Sequence, residues 1–419
     1  MINVTSLKII NKWSSLCILT GLITLGFTSC TKKYQLKDVN HVVVIYLENH
    51  SFDNLYGQFD GANGLPDALK DKITQVDSTG KPYEFLPPVM GYMSFPANLP
   101  NNYFNIDQYV ASDMETPDVL HAYYEEQMEI DSGKMDKYAL YNSLIGNSGG
   151  LSMGYYKTNM LPLNDFAKKY TLCDNFFHSA FGGSFLNHMF LIAAAAPVYK
   201  GAPDFMKAKL DASGNMIQDG QVTPDEYLVN TSFTVNNPHP PESFRAALVP
   251  NLNLTTIGDK LTNKGVSWAW YSGGWDDALA GNAAPTFQFH HQPFAYCANY
   301  ADGTPGKKEH LKDEKDFIAA AKNGTLPAVS FVKPLGMYNE HPGYSTVLDG
   351  EKHTVELIND VLNGPDGKDA VIIITYDEHG GFWDHVPPPV IDKWGPGTRV
   401  PALIISPFAK KGFVDHTQY

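Results

Sequence analysis

Two uninterrupted runs of β-branched residues constrain this 419-residue chain more than any other feature. Residues 41–48 read HVVVIYLE and residues 370–376 read AVIIITY. Neither run alternates with polar residues, so each predicts a strand covered on both faces, as in a parallel sheet sandwiched between helices. The stretch before the second run carries Val355, Ile358, Val361 and Leu362 on one helical face, and Gly364-Pro365 ends that helix. The same helix-then-strand order recurs at 163–177, 255–272 and 313–334, with Gly265 and Gly324 as helix stops in the last two. VPALIISP (400–407) is a further strand candidate. This repetition predicts an α/β fold, a three-layer α/β/α sandwich with a mostly parallel central sheet.

Segments 60–150 and 197–255 break the pattern. Rich in Pro, Gly, Asn, Asp and Tyr, they read as long insertions that build or cover a site, the alternative being inert surface additions. Hydrophobic residues make up 43% of the chain and charged residues 18%, which is globular and not disordered. With 45 acids against 31 bases the net charge is −14. That excludes a binder of nucleic-acid phosphates and docking on anionic lipid by surface charge. Four cysteines are too few for a disulfide-stapled scaffold.

Residues 1–29 carry Lys8 and Lys12, then an apolar stretch from Leu16 to Phe27, then small residues before Cys30. The apolar part is shorter than the ~20 residues that span a bilayer, so the pattern is that of a signal peptide. Its end at Cys30 resembles a bacterial lipoprotein signal, in which Cys30 would be acylated and become the first mature residue. The protein is then exported and anchored through lipid, facing periplasm or cell surface; ordinary secretion and a retained membrane anchor are the alternatives. Residues 30–37 read as a short tether and 38–419 as the folded domain. Maturation would leave Cys173 and Cys297, read as buried small hydrophobes, with a disulfide as the alternative.

In a parallel sheet, ligands bind beyond the carboxyl ends of strands. The two best strands here run into Glu48-Asn49 and into Asp377-Glu378, the latter followed by His379-Gly380-Gly381. Charges after a buried strand are costly unless paired or ligating, and these four residues offer hard oxygen donors to a divalent cation. Solvated strand ends are the plainer reading. Ser184 follows Gly182-Gly183 and opens an apolar helix, so it is an N-cap or a hydroxyl placed where helix N–H groups attract an anion. No GxSxG elbow surrounds it, which leaves a metal as the route to its activation. Of fourteen histidines, His121, His290, His291 and His341 sit in polar, turn-rich contexts. Near a phosphate they could act as cations or protonate a leaving group.

Six segments in order, VVVIYLENHSFDNLYG (42–57), YTLCDNFFHSAFGGSFLNH (170–188), FHHQPFAY (289–296), NEHPGYS (339–345), TYDEHGGFWDHVPPP (375–389) and GTRVPALIISP (397–407), resemble the bacterial phosphoesterase family of acid phosphatases and phosphatidylcholine-hydrolysing phospholipases C. The resemblance covers roughly residues 38–419 and implies the alkaline-phosphatase-like fold. It implies one divalent metal ion (Ca, Mg, Mn or Zn) on Glu48, Asn49, Asp377, Glu378 and the Ser184 hydroxyl, with Ser184 as nucleophile. It places Asn187, His290 and His291 on the substrate phosphate and gives His121 and His341 catalytic roles. The chain departs from the family pattern at Ser184-Phe185-Leu186-Asn187-His188, where many members read T-x-P-N-R, and at His50, where arginine is usual. The first departure favours the phosphatase branch over the phospholipases. Relatives continue into another helix after the segment VDHTQY, so a missing C-terminal end is expected.

The implied activity is hydrolysis of phosphomonoesters through a phosphoserine on Ser184. A phospholipase C acting on phosphatidylcholine-type lipids is the first alternative. The second is an anchored lipoprotein that binds phosphate without turnover. A sulfatase-like hydrolase is disfavoured, because the C/S-x-P-x-R motif is absent. The expected partners are a phosphoester, small or lipid, and the membrane through Cys30.

Overall fold

The computed structural model describes residues 36–241 and 245–419, and every structural statement below concerns these. The leader, Cys30 and most of the tether lie outside the described residues. Eight strands form the central sheet: β1 (His41–Leu47), β2 (Thr171–Cys173), β3 (Trp268–Ser272), β4 (Leu311–Asp313), β5 (Val329–Lys333), β6 (Ala370–Tyr376), β7 (Ala402–Ile405) and β8 (Phe413–Asp415). Their order is β8-β2-β7-β6-β1-β5-β3-β4. The two β-branched runs are neighbours at the centre, paired in parallel from His41 opposite Ala370 to Leu47 opposite Tyr376. β7 alone runs against its neighbours β6 and β2. The sheet is therefore mostly parallel, as the sequence predicts.

The helices used below are α1 (Phe52–Tyr56), α2 (Tyr123–Ile130), α3 (Leu163–Lys169), α4 (Ser184–Ala193), α5 (Ile257–Asn263), α6 (Glu314–Asn323) and α7 (Val347–Asn363). Side chains alternate across each strand, so the sheet feeds two cores. Val43, Ile45 and Leu47 of β1 join Tyr271, Val332, Phe317, Ile358 and Leu163, which places α3, α6 and α7 on one face. Trp268, Trp270 and Phe331 join Phe185, Met189 and Ile192 of α4, with Leu261 of α5 packed against them on the other face. These are the three layers. On α7 the buried stripe runs through Val347, Thr354, Leu357, Ile358 and Val361, while Val355 and Leu362, expected on it, sit half-buried at its edge. Gly324 caps α6 in the left-handed conformation, as its position implies. Cys173 and Cys297 are free and buried. Among the described residues no helix is long and apolar enough to cross a membrane.

The insertion over 60–150 is not inert: it carries α2 and delivers His121 and Glu126 to the sheet's carboxyl edge. The 197–255 insertion buttresses the loop holding His290 and His291. There Asn236 Nδ2 donates to the Ala295 carbonyl at 2.8 Å, and the Tyr296 hydroxyl donates to that of Ser232.

Candidate active site

β1 and β6 end side by side, so their following residues meet above the sheet. Glu48, Asn49, Asp377 and Glu378 are all fully buried. The Asn49 amide donates to Asp377 Oδ1 at 3.2 Å, and the Glu378 amide donates to the same oxygen at 2.9 Å. Asn49 adopts a left-handed φ of 64°, a strained state that Asn tolerates better than most residues. Gly380, at φ 63°, turns the chain hard against it: a Cβ there would lie 2.2 Å from the Asn49 carbonyl oxygen. That contact explains a glycine two residues after Glu378.

Ser184 arrives from the opposite layer. It is the first residue of α4, with Gly183 in the N-cap position, so the N-cap reading of Ser184 does not hold. Its hydroxyl donates to Glu48 Oε2 at 2.9 Å and lies 3.3 Å from Asn49 Oδ1. Asn49 Nδ2 donates to His121 Nε2 at 3.2 Å, which turns the amide oxygen toward Ser184. His121 can accept there because its Nδ1 faces the Val119 carbonyl at 2.5 Å, and a carbonyl only accepts. His121 thus orients Asn49. His341 has the same tautomer, with Nδ1 on the Pro342 carbonyl, and its ring lies 5.3 Å from that of His121.

Three carboxylates share this buried space, and burial prevails in two of them. The Asp377 carboxyl is pushed up to about 8 by burial and then by the Glu48 charge, and Glu378 is raised by burial and Asp377. For Glu48, burial also works upward, but His291 and the Lys333 ammonium outweigh it and hold the carboxyl well below its usual range. Asp377 Oδ2 and Glu378 Oε1 are buried and accept no hydrogen bond. Such groups are rarely left without a partner. A hard divalent cation beside the Ser184 hydroxyl fits this donor set of carboxylate and amide oxygens.

His290 and His291 flank the far side of Glu48, where His291 Nε2 lies 3.0 Å from Glu48 Oε1. Burial is the largest influence on both rings and moves them below the usual histidine range, His291 to about 4. The sequence resemblance places these two rings on the substrate phosphate; here they stand against Glu48. Asn187, also expected on the phosphate, bonds the loop before the helix. Its Nδ2 donates to the carbonyls of Ala180 and Gly182, and its Oδ1 accepts from the Ala180 amide. Three residues into α4 the side chain leans back over the first turn, where loop 180–183 takes up its whole capacity. It holds the serine loop in shape.

Sequence reasoning missed two members. Lys333, fully buried at the end of β5, sits against Glu48 Oε1; a charge ending a buried strand was the signal already used for the carboxylates. His188 lies 3.7 Å from Asp377 Oδ2 and donates from Nδ1 to the Ser184 carbonyl. Behind the site, Glu126 of α2 accepts from the amides of Gly182 and Thr398 and from His178 Nε2, locking the serine loop to the insertion. Gly182, at φ 88°, allows this, since a Cβ would meet the Tyr123 amide nitrogen at 2.5 Å. Nearby, Arg399 donates to Asp384 Oδ1 at 2.9 Å and to Asp53 Oδ1 at 3.3 Å, while His385 binds Asp53 Oδ2. Three of the six sequence segments therefore meet in one buried ion cluster.

The Phosphoesterase family model matches residues 39–419. The chain belongs to this family. This phosphoesterase-family chain is 25% identical over 425 residues to a non-hemolytic phospholipase C of Pseudomonas aeruginosa, covering 91% of this chain and 53% of that protein. It is 23% identical to phospholipase C B of Mycobacterium tuberculosis, covering 92% of this chain and 71% of the relative. The chain thus spans about half the length of the Pseudomonas relative. Among solved structures it is similar to a protein of the alkaline phosphatase superfamily from Vibrio parahaemolyticus, at 9% identity and a TM-score of 0.33 over 73% of this chain and 66% of that one.

Proposed function

We propose that the protein hydrolyses phosphomonoesters through a phosphoserine on Ser184. The observation that carries this reading is the Ser184 hydroxyl, oriented by Glu48 Oε2 and faced by Asn49 Oδ1, at the mouth of a cluster of carboxylates. A divalent cation held by Glu48, Asn49, Asp377 and Glu378 would supply the positive charge that favours the serine alkoxide and steadies the transferring oxygens. Ser184 Oγ attacks phosphorus in line: its O–H bond breaks with the proton passing along the hydrogen bond to Glu48 Oε2, the new O–P bond forms, and the bond to the leaving alcohol breaks. His341, whose Nδ1 is held by the Pro342 carbonyl and whose ring lies beside that of His121, gives that alcohol its proton from Nε2 once the incoming phosphate charge favours imidazolium. Water then attacks the phosphoserine, releasing phosphate and restoring the hydroxyl. Exposure rises toward Asp118 and His121, the flank by which a substrate enters.

A second reading, phospholipase C action on phosphatidylcholine-type lipids, is favoured by the names of the relatives. One experiment tests both. Purified protein is assayed with p-nitrophenyl phosphate and with phosphatidylcholine vesicles, beside Ser184→Ala. The expected result is turnover of the soluble ester and a loss of about 10³-fold or more in the variant. Preference for the lipid supports the second reading, and full turnover by Ser184→Ala overturns both.

A further inference from the structure

Glu48 has two faces. Oε2 turns to Ser184, toward the cation position proposed above. Oε1 turns the other way, into a space lined by His188, His291 and Lys333. Glu48, His188 and His291 are all buried, and one ligand atom from each lies within 4.8 Å of the other two. Their rings stack face to face, 5.2 Å apart and 6° from parallel. His188 Nδ1 is engaged by the Ser184 carbonyl, so Nε2 carries its lone pair, and that atom is buried without a hydrogen bond. His291 Nε2 is buried and likewise makes none of good geometry. Two imidazole nitrogens and a carboxylate oxygen are a donor set suited to zinc.

That space already holds a positive charge. Lys333 contacts Glu48 Oε1, donates to the Leu47 carbonyl at 3.3 Å and lies 5.0 Å from the centre of the Tyr46 ring. It is fully buried and anchored by β5, whose pairing with β1 and β3 fixes where its stem begins. A buried ammonium is costly unless paired, and a carboxylate with an orphaned second oxygen is costly unless neutralised. Each offsets the other.

We propose that Lys333 is a resident cation of this site, its ammonium occupying the Oε1 face of Glu48 and so closing a second, histidine-rich divalent-cation position made by Glu48, His188 and His291. The proposal rests on the cation reading of the previous section. It assigns the cluster one exchangeable ion, because the place of a second is taken by a side chain. Removing the ammonium opens that place to a borderline-soft ion of the zinc class.

The test is zinc retained per chain after equilibration and gel filtration. The wild-type protein is expected to keep about one ion, Lys333→Met about two, and Lys333→Met with His291→Gln about one again. Lys333→Arg, which keeps the charge, is expected to behave as wild type. Two ions in the wild-type protein, or no gain in Lys333→Met, overturns the proposal. No ion in the wild-type protein fails the earlier cation reading instead, so the two failures are distinct. Should Lys333→Met not fold, zinc added during expression is expected to restore its soluble yield and to leave the double variant insoluble. Absence of that rescue overturns the proposal equally.

Discussion

The Ser184 hydroxyl donates a 2.9 Å hydrogen bond to Glu48 Oε2 across 136 residues of sequence. The two groups come from adjacent layers, one opening a helix that packs on the sheet and the other closing a central strand. Their contact makes the carboxylate cluster and the hydroxyl one unit, with Asn49 and Asp377 bound into it by backbone amides. Disturbing any part of it is expected to be felt by the rest.

Removal of divalent ions is the first such disturbance. Without a cation, Asp377 Oδ2 and Glu378 Oε1 face a buried space with no donor. Chelation is expected to abolish turnover and to lower the thermal midpoint, with both restored by adding the ion back. A ligand at about 100 times its Kd stabilises by about 2.7 kcal/mol, which sets the scale of the shift. Thermal scans with and without EDTA check this; an unchanged midpoint together with unchanged turnover would contradict it.

Gly380→Ala tests the backbone that shapes the cluster. The new Cβ would sit 2.2 Å from the Asn49 carbonyl oxygen, and φ 63° strains any L side chain. Asn49 must move, taking its side-chain oxygen from Ser184. Ion affinity is expected to weaken by about tenfold or more, which is about 1.4 kcal/mol. Calorimetric titration of the ion into the variant measures it.

Arg399→Met tests the ion cluster behind the site. The guanidinium is fully buried between Asp53 and Asp384. Its loss leaves Asp384 without its guanidinium partner and Asp53 with His385 alone, and breaking a buried pair typically costs about 3–5 kcal/mol. The variant is expected to unfold at markedly lower denaturant concentration. Wild-type stability would show that the cluster braces nothing.

Glu351→Gln tests a proton held away from the site. Glu351 is buried in α7, its Oε2 accepts from the Leu163 amide at 2.7 Å, and burial pushes its carboxyl up to about 8. Because the folded value lies above the unfolded one, the stabilisation is complete below the usual carboxylate range and is lost as pH rises toward 8. The wild-type thermal midpoint is therefore expected to fall by roughly 2 °C or more between pH 5 and 8. Gln keeps the accepting oxygen without the proton, so its curve is expected to be flatter. Parallel slopes would locate the titration elsewhere.

The central strands, their helices and the four oxygen donors were legible because each follows from a local pattern: a β-branched run, a helix stop, an acid after a buried strand. The short edge strands β4 and β8 were not, since three residues carry no periodicity. The bonds of Asn187 to the loop were not legible, because the direction of a side chain in a first helical turn depends on which loop folds back over it. The burial of His290 and His291 against Glu48 was not legible, because spacing says nothing of burial. Lys333 was missed although VSFVKP (329–334) displays a charge at the end of a buried strand. Its meaning appears only when β5 is seen beside β1.

The reversed run of β7 has a consequence for tolerance to change. Every other strand presents its exit at the functional edge, whereas β7 presents its entrance, and Arg399 stands three residues ahead of it. A one-residue slip in the pairing of β7 would swing that guanidinium toward the opposite side of the sheet and release Asp53 and Asp384 together. Insertions and deletions should therefore be least tolerated between residues 397 and 402, a stretch that performs no chemistry of its own.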